Sequence, residues 1–92
     1  MRFLICYDVE DDNVRARLVK LLEVYGVRIQ YSVFEFNISK ATWLDLKLKL
    51  KEQNFLDGSI SLVIYPLSME VYARAERYGG AAVWDEGDMI FE

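Results

Sequence analysis

The chain has 92 residues, with 15 acidic and 11 basic side chains, no histidine, one cysteine and a hydrophobic fraction of 53%. This length fits one compact domain and is too short for two. The lack of histidine excludes histidine catalysis and histidine metal sites, and the lone Cys6 excludes internal disulfides and cysteine-cluster zinc sites. Any chemistry must come from carboxylates, supported by Arg, Lys, Ser and Tyr.

The charge is distributed unevenly along the chain. Residues 1–56 carry nine basic and eight acidic side chains, whereas residues 57–92 carry two and seven. A pI near 4.8 argues against indiscriminate nucleic-acid binding but leaves room for a local basic face. The first apolar run is too short for a signal peptide or a membrane span, so we expect a cytoplasmic protein with no membrane partner.

The first quarter of the chain predicts a strand followed by a helix. Arg2–Asp8 is apolar on both faces until Asp8, which indicates a central strand. Residues 10–13 offer side-chain oxygens that can cap a helix, and Gly26 supplies its end. Apolar residues recur between them at helical spacing: Val14, Leu18, Leu21, Leu22 and Tyr25.

The next stretch, residues 27–38, alternates with a period of two but changes phase. Val27, Ile29, Tyr31 and Val33 lie on one parity, and the apolar residues from Phe34 onwards lie on the other. Such a pattern shifts face only through a bulge or a reversal. The stretch is therefore either one kinked strand or two strands joined by a tight turn.

The second half of the chain predicts two helices around a strand. Ser39 can cap a helix over residues 40–53, although its Leu–Lys alternation is strand-like. Residues 59–65 form a strand that Pro66 stops, and residues 69–78 form a helix after Ser68. The sequence also predicts short extended pieces at residues 82–84 and 89–91, around a turn.

This order of elements is that of an α+β, ferredoxin-like βαββαβ sandwich with helices on one face of the sheet. One domain spans residues 1–92. The other face, lined by Leu4, Cys6 and a strand partner such as Val63 or Ile64, would be an exposed apolar patch on a monomer. We therefore expect a homodimer.

Asp8 is the first candidate functional residue, because it places a carboxylate at the end of an apolar strand. Mg²⁺ needs one or two protein carboxylates when a phosphate supplies further oxygen ligands. Two Asp8 side chains meeting across a dimer axis would meet that need. The simpler alternative is that Asp8 accepts hydrogen bonds from loop N–H groups.

Cations near the same strand end could bind phosphate, and two aromatic rings could stack on bases. The cations are Arg15, Arg17, Lys20 and Arg28, and the aromatic residues are Tyr7 and Phe34. The simpler alternatives are that the cations are solvated and that the rings belong to the core.

Several motifs in this chain resemble those of CRISPR-associated protein 2. They are YDVEDD followed by RxR, a helix ending in YG, VRIQYSVFEF and later VIYPL, and they cover nearly the whole chain. The most specific is RIQYSVFE, residues 28–35. Virulence-associated protein D is the nearest competing resemblance.

The resemblance implies a ferredoxin-like homodimer with an extra C-terminal strand, in which residues 79–92 pair with the partner subunit. It implies that the dimer holds double-stranded DNA with the CRISPR-associated protein 1 integrase during spacer acquisition. It also implies a metal-dependent endonuclease acting on RNA or DNA, with Mg²⁺ or Mn²⁺ on Asp8. The residues that match reported cleavage residues are Tyr7, Arg15, Arg17, Arg28 and Phe34.

Three functions remain open on the sequence alone. One is a non-catalytic adaptor that presents DNA to the integrase, and another is a Mg²⁺-dependent endonuclease, including an endoribonuclease like virulence-associated protein D. The third is a regulatory module that binds a small ligand, because this fold supports many unrelated roles. Retention of the RIQYSVFE motif beside Asp8 favours the first two.

Overall fold

The computed structural model describes residues 1–79, which form a four-stranded antiparallel sheet and three helices. The strand order is β2-β3-β1-β4, as in ferredoxin-like folds, so the expected fold class is confirmed. The elements in chain order are β1 Arg2–Asp8, α1 Asp12–Tyr25, β2 Val27–Gln30, β3 Val33–Asn37, α2 Lys40–Glu52, β4 Ser61–Leu67 and α3 Met69–Ala73.

Strand β1 lies at the centre of the sheet, as its apolar sequence predicts. It pairs with β3 on one side and with β4 on the other, both antiparallel. Phe3 and Ile5 are fully buried on the face that carries the helices. The ring of Phe3 stacks on that of its β3 partner Phe36, with 4.7 Å between centroids. Burial of these rings and chains drives the sheet onto the helices.

The phase change in residues 27–38 corresponds to a hairpin. Strands β2 and β3 are joined at Tyr31 and Ser32, so the two-strand alternative is the one observed. The pairing also shifts register between Arg28 and Gln30, which places an irregularity next to the turn. Tyr31, expected on the apolar face of a strand, is instead 69% exposed in the turn.

Helices α1 and α2 cover the core face of the sheet. Leu18 and Leu22 of α1, and Leu46 and Leu50 of α2, are fully buried. The strand-like Leu–Lys alternation in α2 therefore does not prevent a helix. Its consequence is that Leu48, between the two buried leucines, is 54% exposed, while Lys47 and Lys51 extend into solvent. Leu44, before the alternation, is also 54% exposed.

Glycine is required at position 26, the end of α1, because there is no room for a side chain there and not because the backbone angle is unusual. Its φ of −143° is open to any residue. A Cβ at this position would lie 2.5 Å from Cδ2 of Phe36 and 2.7 Å from the carbonyl oxygen of Glu35. The absent side chain therefore allows the helix end to approach β3 closely.

Strand β4 corrects two expectations. It continues through Pro66 to Leu67 instead of stopping before the proline, and it begins at Ser61 rather than Ser59. Within residues 1–79 β4 has a neighbour on one side, β1, and proline is tolerated in an edge strand. Ile64 packs against the core, so it does not line the second face of the sheet.

The segment after β4 corrects two more expectations from the sequence, the length of the last helix and the openness of the second face of the sheet. Helix α3 ends after Ala73, with Arg74 as its cap, and does not reach residue 78. It packs with the residues that follow over part of the second face, beside Leu4 and Leu67, so this face is not fully open. The extended pieces expected at 82–84 and 89–91 lie outside the described residues. None of the helices in residues 1–79 is long and apolar enough to span a bilayer.

Candidate functional site

Asp8 is the last residue of β1, and its side chain is exposed at that end of the sheet. It pairs with Ser61, the first residue of β4. Asp8 lines two adjacent cavities, one of about 650 Å³ and one of about 370 Å³. The strand end thus presents a carboxylate to solvent-filled space on both sides, an arrangement that suits a site rather than a core.

The larger cavity lies between the start of α1 and the loop that joins α2 to β4. Arg17 lines it, and its guanidinium carbon lies 5.4 Å from the centroid of the buried Phe55 ring. The polar side chains around it include Asp8, Glu10, Asp11, Arg17, Asn54 and Ser59. Arg17 is therefore a cation that shares a cavity with Asp8 and can meet a phosphate there.

Arg15 lines the smaller cavity, but its guanidinium is already engaged by the protein. It donates to the carbonyl oxygen of Val9 at 2.8 Å and to the carboxylate of Asp12. The hydrogen bond with Asp12 raises the pKa of Arg15 above its usual value. Arg15 therefore ties the loop after β1 to the first turn of α1, in addition to any role towards a ligand.

Asp11 has a structural role, as its position before the helix predicts. Its side-chain oxygen accepts hydrogen bonds from the backbone N–H groups of Asn13 and Val14, both at 2.9 Å. These bonds satisfy two of the free donors in the first turn of α1. Asp8, three residues earlier, is left to face the cavities.

Arg28, Tyr7 and Phe34 form a small cluster beside the smaller cavity. The guanidinium of Arg28 donates to the hydroxyl of Tyr7 at 3.4 Å and lies 5.7 Å from the centroid of the Phe34 ring. Tyr7 is 5% exposed and Phe34 is fully buried. Their rings therefore leave no free face for a base, and the stacking role suggested for them does not fit this structure; both pack in the core and support Arg28.

Lys20 is exposed on α1 and lines neither of the two cavities. The four cations proposed together as one phosphate site therefore lie at separate places in this chain. Arg17 shares the larger cavity with Asp8, and Arg15 shares the smaller one. Arg28 stands behind the smaller cavity, against the rings of Phe34 and Tyr31.

In a single chain, Asp8 supplies the carboxylate at the strand end, and Glu10 and Asp11 line the same larger cavity. In residues 1–79 no three acidic or cysteine side chains come together as a ligand set. Mg²⁺ keeps several waters and takes one or two protein carboxylates when phosphates supply the rest. The donor set at Asp8 thus fits Mg²⁺ when a second Asp8 or a substrate phosphate contributes.

The sequence did not single out Tyr31 as a site residue. Tyr31 lines the smaller cavity with Asp8, and it is an exposed residue of the turn between β2 and β3. The phase change in the apolar pattern at this position could have indicated it, because a hairpin there places Tyr31 in an exposed turn.

A family model described as CRISPR associated protein Cas2 matches residues 1–75. A relative from Synechocystis sp., the CRISPR-associated endoribonuclease Cas2 2, is 37% identical over 90 residues, which cover 96% of this chain and 95% of the relative.

Solved structures agree with this match. Streptococcus pyogenes Cas2 superimposes with a TM-score of 0.69 and 30% identity, covering 86% of this chain and 100% of the other. A chain of a partial Cas6-RT-Cas1–Cas2 complex superimposes with a TM-score of 0.71 and 28% identity, covering 97% of this chain and 96% of that one.

Proposed function

This chain belongs to the family of CRISPR-associated protein Cas2, and on that premise we propose that it is a CRISPR adaptation protein. In this proposal a homodimer binds double-stranded DNA together with the Cas1 integrase during spacer acquisition. The observation that carries the proposal is the similarity over 97% of the chain to a chain of a complex that contains Cas1. A fold shared over its whole length can present the same surfaces to the same kind of partner.

Two features of the sheet support the dimer. On the second face, Val63 is 41% exposed and Tyr65 is 52% exposed. Strand β4 has one hydrogen-bonded neighbour within residues 1–79, so its other edge can accept an added strand. A second copy that pairs through residues 79–92 would use this edge and bury the apolar side chains.

DNA binding would depend on a few cations presented twice by symmetry. The chain carries a net charge of −4, so its general field repels phosphate. Arg17 and Lys20 are exposed cations of α1 that the fold leaves available. Duplication in a dimer, together with the cations of the integrase, would give the affinity that one chain lacks.

The test combines purification with a Cas1 integrase from the source organism and a DNA titration across salt concentrations. The wild-type complex is expected to bind, and the double variant Arg17→Ala, Lys20→Ala is expected to lower the salt slope by about 1 for each phosphate contact removed. The matched variant Lys47→Ala, Lys51→Ala removes two exposed cations from α2. Failure to associate with Cas1, or equal effects of the two double variants, would count against the proposal.

A second candidate function is a metal-dependent endonuclease. The exposed Asp8 at a strand end, with Arg17 in the same cavity, favours it, and the Synechocystis relative is named an endoribonuclease. Asp8 from each of two copies would hold Mg²⁺ or Mn²⁺, which supplies positive charge and orientation for hydrolysis of a phosphodiester. Arg17 would balance charge that develops on the phosphate.

Cleavage of labelled single-stranded RNA and double-stranded DNA tests this function. Asp8→Asn and EDTA are each expected to abolish cleavage. The control Glu23→Gln, which removes an exposed carboxylate of α1 that lines neither cavity, is expected to retain it. Cleavage that persists in folded Asp8→Asn would indicate a contaminating nuclease. Spacer acquisition that continues in the same variant would leave the non-catalytic adaptor as the function.

A further inference from the structure

Tyr31 is an exposed aromatic residue whose backbone is firmly held. It begins the turn between β2 and β3, and 69% of its surface is exposed. Its carbonyl oxygen accepts a hydrogen bond from the hydroxyl of Tyr7 at 3.1 Å. The next carbonyl, that of Ser32, accepts one from the backbone N–H of Tyr7 at 3.1 Å. Both bonds tie the turn to the end of β1.

The ring of Tyr31 is also paired with a cation. The guanidinium carbon of Arg28 lies 5.6 Å from the centroid of the Tyr31 ring and 5.7 Å from that of Phe34. Because Arg28 donates to the Tyr7 hydroxyl as well, its position is fixed from two directions. The aromatic surface of Tyr31 thus carries a positive charge beside it, a combination that suits a base attached to a phosphate.

The exposed ring shares a cavity with the candidate catalytic carboxylate. Tyr31 and Ser32 line the cavity of about 370 Å³ together with Tyr7, Asp8, Val9 and Arg15. A cavity of this size can hold a nucleotide-sized group. A chain whose phosphate lies at Asp8 would bring a neighbouring base to Tyr31.

We propose that Tyr31 is a specificity-determining residue that stacks on an unpaired nucleobase of a single-stranded nucleic acid at Asp8. The assignment rests on the endonuclease at Asp8, the second candidate function proposed above, and adds the part of the substrate that is recognised there. The ring binds the flat face of a base, which paired bases inside a duplex do not expose. Single-stranded RNA and DNA carry this feature equally.

The experiment compares strands with and without bases, with Mg²⁺ present so that Asp8 can hold a phosphate, in the cold and over times short enough that a gel shows the strands intact. Oligouridine and oligothymidine are each titrated against an abasic strand of the same length and backbone. The proteins are the wild-type chain, Tyr31→Leu, Tyr31→Phe and the control Tyr78→Leu, which removes another exposed ring, 87% exposed, that does not line this cavity.

The wild type and Tyr31→Phe are expected to bind the base-carrying strand on the order of 10-fold more tightly than the abasic strand. Tyr31→Leu is expected to lose this preference at an unchanged salt slope, and Tyr78→Leu to keep it. A preference seen with one sugar alone assigns the site to RNA or to DNA. Equal preference in Tyr31→Leu and wild type overturns the proposal. A wild type that binds no single strand overturns the endonuclease function at Asp8 and this assignment with it, and leaves the double-stranded DNA adaptor to its own test.

Discussion

Glu35 and Arg77 form an ion pair on the second face of the sheet, although 42 residues separate them along the chain. Glu35 is 2% exposed and is the one buried charged residue in residues 1–79. Both of its carboxylate oxygens accept hydrogen bonds from Nη2 of Arg77, at 2.5 and 2.7 Å. The pair fixes the segment that follows α3 against β3.

Loss of this pair is expected to destabilise the protein. Arg77→Ala leaves the carboxylate of Glu35 buried without its cation, which costs about 1–3 kcal/mol of unfolding free energy. Urea unfolding at one protein concentration measures the loss. The exposed Arg74, in the same segment, gives the matched variant Arg74→Ala, which is expected to change stability by less than about 0.5 kcal/mol.

A double-mutant cycle separates the pair from other effects of Arg77. In the Glu35→Gln background no carboxylate is left unpaired, so Arg77→Ala is expected to cost much less than in the wild type. Equal costs in both backgrounds would show that Arg77 stabilises the fold through another contact, such as its position 5.8 Å from the ring of Tyr72.

The same pair shows where sequence reasoning reaches its limit. Residues 69–78 have the composition of a helix and end before two glycines, so local propensity predicts helix to Tyr78. The structure ends α3 after Ala73, and Arg77 meets a buried carboxylate from a distant strand. A contact between residues so far apart in the chain leaves no periodic signal, and it overrides a weak local preference.

The central strand and the two long helices could be predicted because their apolar residues recur with a clear period. Asp8 could be singled out for a related reason: a charge stands out at the end of an apolar strand. The cavity wall formed by Tyr31 could not be predicted, because its position depends on which of two alternatives residues 27–38 adopt. The antiparallel pairing of β2 with β3 decides in favour of two strands joined by a turn.

A side chain at Gly26 is expected to destabilise the fold. A Cβ there would lie 2.7 Å from the carbonyl oxygen of Glu35, which is held in the sheet and cannot move cheaply. Gly26→Ala is therefore expected to lower the unfolding free energy by about 1–3 kcal/mol. The double variant Gly26→Ala, Phe36→Leu, compared with Phe36→Leu alone, replaces the ring at the second clash and tests whether the backbone contact dominates. An unchanged urea midpoint in Gly26→Ala would contradict the close approach.

The contact between α1 and α2 at Asp45 is expected to weaken in acid. The hydroxyl of Tyr25 donates to Asp45 Oδ2 at 2.8 Å, and Lys49 Nζ donates to the same oxygen at 3.3 Å. These bonds lower the pKa of Asp45 below its ordinary value of 3.8. The lowered pKa means that the charged form stabilises the fold at neutral pH, and this contribution is lost as the pH falls through the folded pKa.

Urea midpoints across pH measure this contribution. The difference between wild type and Asp45→Asn is expected to be constant from about pH 5 to about pH 9 and to shrink below about pH 4. The pKa of Lys49 is raised by the same hydroxyl and carboxylate, so its own contribution is present at neutral pH and is lost in strong alkali. The control Glu52→Gln removes another exposed carboxylate of α2. A difference that persists unchanged in acid would show that Asp45 does not act through its charge.

Arg15 and Arg17 are expected to differ in what their loss does, although they lie two residues apart. Arg15 donates to the Val9 carbonyl and pairs with Asp12, so Arg15→Ala is expected to lower the urea midpoint. Arg17 is exposed at the larger cavity, and Arg17→Ala is expected to change stability by less than about 0.5 kcal/mol.

Parallel measurements of urea unfolding and of nucleic-acid affinity separate these two roles. If Arg17 meets a phosphate beside Asp8, Arg17→Ala lowers affinity and the salt slope while the urea midpoint stays the same. Arg15→Lys keeps the charge but not the planar fork that reaches the Val9 carbonyl and Asp12 together. Compared with Arg15→Ala, Arg15→Lys is therefore expected to restore the nucleic-acid affinity more fully than the stability. The opposite result would be a stability that falls in Arg17→Ala and is unchanged in Arg15→Ala. It would mean that contacts other than those of Arg15 hold the loop after β1, and that Arg17 has a structural role.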